Sequence, residues 1–369
     1  MKHMRLSVHS ARASYYKGGA ERYILNLCTH LTDLNVDVSL VTCDAPEKSE
    51  WFKEFIKNFK GKIFLIRSKE LDKKFKKFKE ATKPWYWDKE SILFSKATNN
   101  FYEKSGFTDI SYHYTVDCLG LPKNKKIHLH LHGLPDKKRL IENKGIKIPH
   151  QIIAVSKYVR NGWKKLHNIK KKIYVVYNAI NLEDLLYNRK KIYDTLYFGR
   201  LIKIKGVDTL IKSILLLQKK GVNINCTIIG DGPEKENLIR LAQKNNLKNI
   251  KFLGRICDKK LFDIISKSKI SIFPSYKREG IMATLLGAAK FKSVIISSDS
   301  CSNKEFVKDK KNGLIFKSKD PKDLANKIER IIDNEYLRTR LSKNAFRYLK
   351  NFSWKKQAEK VYNIYKSIS

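Results

Sequence analysis

The chain has 369 residues, which exceeds the usual size of one hydrophobic core, so we expect two domains. Its residues are 42% apolar and 31% charged, and the two kinds are interleaved, which excludes an intrinsically disordered protein. The formal net charge of +41 has two compatible explanations. One is a codon bias towards lysine, and the other is attraction to an anionic membrane leaflet, nucleic acid or phosphorylated substrate.

The cysteines and the apolar runs bear on the cellular compartment. The six cysteines are scattered without a CxxC pair, which predicts no disulfide framework or zinc site and favours a reducing compartment. Residues 1–14 lack the apolar run of a signal peptide, and no apolar run reaches the length of a membrane span. We therefore expect a cytoplasmic protein, with any membrane contact peripheral and on the inner face.

Short apolar runs alternate with amphipathic stretches along most of the chain. This alternation predicts βαβ units and a parallel sheet. The main predicted strands are 5–8, 36–42, 62–66, 126–132, 151–156, 172–177, 195–200, 225–230, 250–254, 270–275 and 293–298. The clearest predicted helices are 21–34, 207–219, 234–245 and 354–368. A polar, basic break at 180–194 separates two series of similar length, so we expect two doubly wound α/β domains, 1–180 and 190–350.

Residues 53–83 form a lysine-rich segment with interleaved phenylalanines. The spacing of Leu71, Phe75 and Phe78 places them on one face of a helix. A basic amphipathic helix followed by Trp85 and Trp87 suits a membrane surface. The alternative is an ordinary helix that packs this stripe on the sheet and exposes its lysines.

The first candidate loop is YYKGGAERY at 15–23, which follows the first predicted strand and opens a helix. Gly18 and Gly19 remove side chains where a ligand must approach the backbone. Free N–H groups at the helix N-terminus suit a phosphate or a sugar hydroxyl. A purely structural turn is the alternative, and the loop lacks the GxGxxG pattern of dinucleotide-binding proteins.

Two further loops follow predicted strands of the second series. In GRLIKIKG at 199–206, a strand ends at Gly199, and Arg200 and Lys205 follow it. Open α/β sheets bind ligands at the carboxyl ends of their strands, and two fixed cations there suit a pyrophosphate. The turn GDGP, which begins at Gly230, is well formed as a turn and only suggestive as a site.

The segment FPSYKREGIMATLLGAAKF at 273–291 places a carboxylate before a helix that begins near Ala283. Glu279 and Gly280 could hold sugar hydroxyls while the helix N–H groups face phosphate. A role for Glu279 as a simple helix cap is the alternative.

Three histidines alternate along one predicted strand and share a face. We do not expect a metal there, because no carboxylate cluster is near in the sequence. His132, at the strand end, is placed to reach a ligand, whereas His128 and His130 are expected to be buried and hydrogen-bonded.

Together these segments resemble glycosyltransferase family 4, a retaining family with the GT-B architecture. The segments that carry the likeness are GGAER (18–22), HG (132–133), IIAVS (152–156), VVYNAIN (175–181), GRLIKIKG (199–206), IIGDGP (228–233), FLGRI (252–256), FPSYKREG (273–280) and NGLIF (312–316). Each motif alone is weak, but their order along nearly the whole chain is specific.

The resemblance implies two Rossmann-like domains facing each other across a cleft. The acceptor side would be 1–180, the nucleotide-sugar side 190–350, and a helix at 351–369 would pack back onto the first domain. It implies catalytic roles for His132, Arg200, Lys205 and Glu279. It implies donor contacts from Gly18, Gly19, Gly199, Gly230, Arg255, Ile256, Gly280, Ile281, Met282 and Ala283.

The chain departs from the family pattern at one cluster of positions. The second glutamate of the family's Glu-x7-Glu motif is Gly287, and Met282 replaces a usual glycine. The usual Gly-x-Pro becomes Phe-Lys-Ser at 291–293, and Ala179 replaces the glycine of Asn-Gly-Ile. Because the second glutamate normally holds the nucleotide ribose, either another residue holds it, the donor differs, or activity is reduced.

We predict an enzyme that moves a sugar from a nucleoside diphosphate, foremost UDP, to a hydroxyl with retention. The acceptor would be a glycan, a lipid-linked molecule or a lipopolysaccharide-type molecule, and neither a metal nor another cofactor is expected. The alternative is a catalytically weak homologue that binds glycan or an anionic membrane surface as an assembly partner. Nucleic-acid binding ranks last, because no nucleic-acid module is recognisable and the basic residues are dispersed.

Overall fold

The computed structural model describes residues 4–80, 84–120, 122, 124–182, 189–277 and 283–368. The chain divides into two compact units. The first unit comprises Met1–Tyr177 and Trp354–Ser369, and the second unit comprises Asn178–Ser353. Each unit has its own parallel sheet and its own apolar core.

The first unit contains seven described strands in the spatial order β3-β2-β1-β4-β5-β6-β7, all paired in parallel. The strands are β1 (Arg5–Ser10), β2 (Asp37–Cys43), β3 (Lys62–Ile66), β4 (Asp109–Tyr112), β5 (Lys126–Leu131), β6 (Gln151–Ala154) and β7 (Ile173–Val175). The helices between them are α1 (Gly19–Asp33), α2 (Glu50–Asn58), α3 (Lys69–Lys79), α4 (Pro84–Lys104), α5 (Leu140–Gly145) and α6 (Lys157–His167). The strand order reverses between β1 and β4, which leaves a crevice at their carboxyl ends.

The second unit repeats this plan with six described strands in the order β10-β9-β8-β11-β12-β13. They are β8 (Tyr193–Phe198), β9 (Cys226–Ile229), β10 (Ile250–Gly254), β11 (Ser268–Phe273), β12 (Val294–Ser298) and β13 (Leu314–Phe316). Its helices are α7 (Val207–Lys219), α8 (Lys235–Lys244), α9 (Asp258–Ser266), α10 (Ala283–Lys290), α11 (Asn303–Phe306), α12 (Pro321–Ile332) and α13 (Glu335–Leu349). The order reverses between β8 and β11, so the corresponding crevice lies between the loops that follow these two strands.

The last helix, α14 (Trp354–Lys366), belongs to the first unit and packs on α1. The hydroxyl of its buried Tyr365 is hydrogen-bonded to Ser111 on β4, at 2.7 Å, and to His130 on β5, at 2.6 Å. Trp354 lies 5.1 Å from the ring of Tyr23 on α1. Hydrogen bonds of Tyr365 therefore hold α14 to the sheet, and ring packing of Trp354 holds it to α1.

The doubly wound fold class predicted from the sequence is confirmed, and the bounds of α7 match the predicted helix at 207–219. Its buried residues Val207, Leu210, Ile211, Ile214 and Leu217 recur at the spacing of one helix face, so burial on the sheet selects the helix. The short strand β4 is not among the apolar runs picked out above, since half of its sequence, DISY, is polar. It forms because β1 and β5 pair with it on both sides.

The lysine-rich helix α3 packs its apolar stripe inwards. Leu71 and Phe78 are 3% and 2% exposed and belong to the core of the first unit, while Phe75 lies edge-on to the ring of Tyr15. Lysines occupy the exposed side of the helix. The interpretation of an ordinary packed helix is therefore confirmed, and its apolar face is not available to a bilayer.

Two loops of the second unit pack backbone against backbone at glycines. Gly230 has φ of +142°, and a Cβ atom there would lie 1.8 Å from the carbonyl oxygen of Gly199. No neighbouring side chain can move to relieve this clash, because the contacting atom is main chain. Glycine is thus required by both the backbone conformation and the close approach.

We expect Gly230→Ala to lower the free energy of unfolding by about 4 kcal/mol or more, since it adds a steric clash to an unfavourable φ. Gly221→Ala is the matched control, because Gly221 has φ of +79° but open space around its added Cβ. The control should lose about 1–2 kcal/mol, the cost of the φ alone. Equilibrium urea unfolding followed by circular dichroism measures both. Equal losses in the two variants would contradict the close contact.

Candidate functional site

The loops that follow β8 and β11 flank the strand reversal of the second sheet, and they are bonded to each other. The N–H of Tyr276 donates to the carbonyl oxygen of Ile204 at 3.1 Å. Gly206, with φ of +65°, would place a Cβ 2.3 Å from the carbonyl oxygen of Pro274. The two loops therefore form one backbone framework at the position where open α/β sheets bind ligands.

The predicted cations Arg200 and Lys205 both lie on the loop after β8. Arg200 is exposed. The Tyr197 hydroxyl donates a hydrogen bond to the carbonyl oxygen of Arg200 at 2.9 Å, which holds the main chain of Arg200 in place. Lys205 is half-buried and ends a 3-10 turn, Lys203–Lys205, directly before α7. The loop after β8 thus carries both cations at the carboxyl edge of the sheet.

The neighbouring loops join this framework through main-chain hydrogen bonds. Leu201 donates to Asp231 at 2.9 Å, and Gly230 donates to Gly254 at 2.9 Å. The loops after β8, β9 and β10 consequently lie side by side. Arg255 is exposed and Ile256 half-buried on the last of these loops. The structure therefore places the predicted residues Gly199, Arg200, Gly230, Arg255 and Ile256 at one edge of one sheet.

The predicted carboxylate segment is described only in part. Glu279, Gly280, Ile281 and Met282 lie outside the described residues. Ala283 is exposed and is the first residue of α10, as the sequence predicts. Gly287 lies one turn further along, and a Cβ built there meets nothing within 4 Å. The position at which the resemblance implies a second glutamate is therefore open with respect to the described part of the chain.

The glycines of the first loop differ from each other. A Cβ at Gly18 would meet Oε2 of Glu21 at 2.2 Å and the ring of Tyr16 at 2.9 Å, so a larger residue there would have to displace these side chains. A Cβ at Gly19 would meet nothing within 4 Å, and Gly19 begins α1 without a side-chain cap. Of the two glycines, Gly19 is therefore the one whose side-chain position is open.

His132 follows β5 in the first unit and is half-buried. Its Nε2 lies 3.0 Å from Nδ1 of His113, and the Tyr23 ring lies edge-on at 4.9 Å. Burial lowers the pKa of His132 to about 4 and holds that of His113 well below its usual value. Both imidazoles are thus neutral near pH 7, and His132 can act there as a hydrogen-bonding group but not as a cation.

His128 and His130 are buried and hydrogen-bonded, as predicted. His128 bonds with Asp109 at 2.9 Å and with Gln151 at 2.8 Å, and His130 bonds with Tyr365. Across the described part of the chain, no group of three or more His, Cys, Asp or Glu side chains is arranged to hold a metal ion. None of the helices within that part is long and apolar enough to cross a bilayer.

The structure reveals a polar cluster that the sequence analysis missed. Arg12, two residues beyond β1, forms an ion pair at 3.4 Å with Glu90 on α4, and both side chains are largely buried. Arg12 precedes the predicted glycine loop and so lies close to a segment already of interest. Glu90 is distant in sequence and has no local signal, so only the packing of α4 reveals the pair.

Two parallel α/β units with open loops at their strand reversals are the architecture of the GT-B fold of glycosyltransferases. HepE of Anabaena, solved in complex with UDP and glucose, superposes with a TM-score of 0.79 over 99% of this chain and 100% of its own, at 14% identity. The predicted GT-B fold is therefore confirmed.

Sequence comparison gives the family. Residues 186–348 match the model of glycosyl transferases group 1. An uncharacterised glycosyltransferase of Methanocaldococcus jannaschii is 30% identical over 373 aligned residues, covering 96% of both chains. The N,N'-diacetylbacillosaminyl-diphospho-undecaprenol alpha-1,3-N-acetylgalactosaminyltransferase of Campylobacter jejuni is 26% identical over 70% of this chain and 66% of its own. The chain belongs to the group 1 glycosyltransferases and is a glycosyltransferase enzyme.

Proposed function

We propose that this enzyme is a retaining glycosyltransferase of family 4. It transfers a sugar from a nucleoside diphosphate to a hydroxyl group of a glycan or lipid-linked acceptor. The observation that carries the proposal is the position of Arg200 and Lys205, which lie on one loop at the strand reversal of the second sheet. Fixed cations at this edge suit a diphosphate, the group on which negative charge develops as the sugar leaves.

In the proposed reaction, the bond between the anomeric carbon and the diphosphate oxygen breaks, and its electron pair stays on the diphosphate. The acceptor oxygen forms the new bond on the same face of the sugar. The acceptor proton passes to the departing phosphate oxygen, so the step needs no separate base. Arg200, Lys205 and the N-terminus of α10 stabilise the diphosphate, and we propose that these protein groups, without a metal ion, suffice.

The donor and acceptor classes rest on the relatives. The structure of HepE contains UDP and glucose, which supports a UDP-sugar as the donor here. The Campylobacter relative is named for a lipid-linked, diphospho-undecaprenol acceptor, which supports an acceptor of that kind or a related glycan. The family resemblance would then assign Arg255 and Ile256 to the base, and it assigns roles at the transferred sugar to Glu279 and His132.

Gly287 motivates a second candidate function, a catalytically weak homologue that binds glycan or membrane as an assembly partner. Among the residues that the structure describes, no side chain lies within 4 Å of a Cβ built at Gly287, the position of the missing glutamate. Release of nucleotide from a panel of UDP-, GDP- and ADP-sugars separates the two functions. Folded protein that releases none of them would favour the second candidate.

We expect Arg200→Ala to lower kcat about 100-fold or more, because a donor aimed at developing negative charge contributes about 3–4 kcal/mol. Initial rates of nucleotide release with the best sugar of that panel give the comparison.

Lys219→Ala is the matched control for Arg200→Ala. Lys219 is an exposed lysine and the last residue of α7, at the end of this helix that lies away from the turn Lys203–Lys205. It should keep activity within about twofold, since charge at a distance is screened in salt. An Arg200→Ala turnover within about threefold of the unmodified enzyme would contradict the diphosphate assignment.

We expect Gly287→Glu to tighten nucleotide binding about tenfold, because the open space admits the side chain and a carboxylate hydrogen bond to ribose contributes about 1.5 kcal/mol. Gly287→Ala controls for the gain in helix propensity, which both substitutions share. Isothermal titration with UDP measures the affinities. If the glutamate variant binds UDP no better than the alanine variant, the ribose does not lie at this turn of α10.

We also propose that the first unit docks on an anionic membrane surface, in keeping with a lipid-linked acceptor. Residues 53–79 contain ten lysines and one arginine against three acidic residues. This segment, which we term the basic edge, comprises most of α2, the edge strand β3 and α3. Ile56 and Leu65 are 43% and 39% exposed on the same segment. Lysines with exposed apolar side chains among them match an anionic bilayer.

We expect Lys73→Glu, Lys76→Glu and Lys77→Glu together to weaken binding to vesicles of phosphatidylcholine and phosphatidylglycerol about 100-fold, since each lysine near such a surface contributes about 1 kcal/mol. Co-sedimentation with the vesicles measures the loss. The control, Lys244→Glu, Lys248→Glu and Lys251→Glu, changes three exposed lysines of the second unit and has the same net charge. Equal losses in the two triple variants would show that net charge, and not the basic edge, attracts the protein.

A further inference from the structure

A polar cluster lies at the strand reversal of the first sheet. Arg12 belongs to the loop after β1, and Asp117 belongs to a 3-10 turn, Thr115–Gly120, that follows β4. Helix α4 contributes Glu90 and Trp87 to the same place. These residues therefore lie at the strand reversal of the first unit, where open α/β sheets usually bind a ligand.

The guanidinium of Arg12 is held in one orientation. Its carbon lies 4.0 Å from the centre of the Tyr16 ring and 4.9 Å from that of Trp87, and its Nε lies 3.4 Å from Oε2 of Glu90. The other carboxylate oxygen of Glu90 accepts a hydrogen bond from the hydroxyl of Tyr15. Aromatic faces thus fix the cation, and one hydrogen bond fixes the carboxylate, before any ligand arrives.

Several polar atoms of this cluster are buried without a hydrogen-bond partner. Among the residues that the structure describes, they include Nε and Nη2 of Arg12, Oε2 of Glu90 and Oδ1 of Asp117. Glu90 and Asp117 are each 3% exposed, so bulk water does not compensate them. Such groups are costly in a folded protein and indicate a missing partner. The ion pair at 3.4 Å is longer than a normal hydrogen bond. A hydroxyl group placed between the two side chains can accept a hydrogen bond from Arg12 and donate one to Glu90.

The charges of the cluster favour a neutral ligand. Burial lowers the pKa of the one cation, Arg12, but the negative charges of nearby groups, first Glu90 and then Glu21, outweigh burial and raise this pKa. Burial raises the pKa of Glu90 and of Asp117 to about 7, so each keeps part of its negative charge at neutral pH. The partial negative charges of Glu90 and Asp117 would repel a phosphate or a carboxylate. A ring hydroxyl of an uncharged sugar meets no such repulsion.

We propose that Arg12 and Glu90 form a subsite for a neutral sugar unit of the acceptor, with a ring hydroxyl accepting from the guanidinium and donating to the carboxylate. The proposal rests on the glycosyltransferase function above and specifies the part of the acceptor that this unit recognises. Trp87 and Tyr16 act as positioning residues for Arg12.

Saturation-transfer NMR on the full chain tests the subsite with uncharged and anionic probes. The uncharged probes are the methyl glycosides of glucose, galactose, mannose and N-acetylglucosamine, and the anionic probe is glycerol 3-phosphate. At least one glycoside should bind, and Glu90→Gln and Arg12→Lys should each weaken it about tenfold, the effect of losing a hydrogen bond to a charged group. Lys17→Met, which removes an exposed cation from the same loop, should leave binding within about twofold.

The outcomes are distinguishable. No binding by any glycoside, equal binding by all variants, or tighter binding of glycerol 3-phosphate that Arg12→Lys abolishes would overturn the subsite. If Arg12→Lys fails to fold, Glu90→Gln, which keeps its size and its bond from Tyr15, decides alone. The thermal shift caused by UDP reports separately on the second unit. A normal shift in every variant with no glycoside effect rejects the subsite alone, whereas no shift even in the unmodified chain rejects the proposed function.

Discussion

The candidate site of the second unit depends on the close packing of main chain at glycines. The loops after β8 and β9 approach so closely that Gly230 leaves no room for a Cβ against Gly199, and Gly232 leaves none against Leu201. Gly206 brings the loop after β8 equally close to Pro274. Because these contacts are backbone to backbone, they cannot relax through side-chain rotation. They hold in place the main chain from which the side chains of Arg200 and Lys205 project before a ligand binds.

The sequence predicts those helices and loops whose cause lies in neighbouring residues of the chain. The spacing of buried residues in α7 gives its bounds, and glycine followed by Arg200 and Lys205 after an apolar run indicates a ligand loop. Strand β4 is too short and too polar for such a signal, and it exists because of its neighbours. The ion pair of Arg12 and Glu90 joins residues far apart in the chain, so nothing short of the packed structure reveals it.

The lysine-rich segment shows why pattern alone leaves alternatives open. Its stripe of Leu71, Phe75 and Phe78 is equally consistent with a bilayer and with a protein core, because both remove apolar surface from water. The sheet takes Leu71 and Phe78, which leaves the lysines and a few exposed apolar residues such as Ile56 to meet any partner. Attraction to a membrane must then be electrostatic first, and its dependence on salt should be strong.

Each unit has a strand reversal where a ligand can bind, but the charged residues at the two reversals differ in burial and in charge compensation. At its strand reversal the second unit exposes Arg200 on a stiff backbone, and an exposed cation suits a highly charged, strongly hydrated diphosphate. At its own reversal the first unit buries Arg12 between aromatic rings and compensates its charge with Glu90. A compensated pair has little net attraction for an ion, but its separate donor and acceptor discriminate between hydroxyls by direction. This division suits a transferase, because a donor is recognised largely by its phosphates and an acceptor by the position of one hydroxyl.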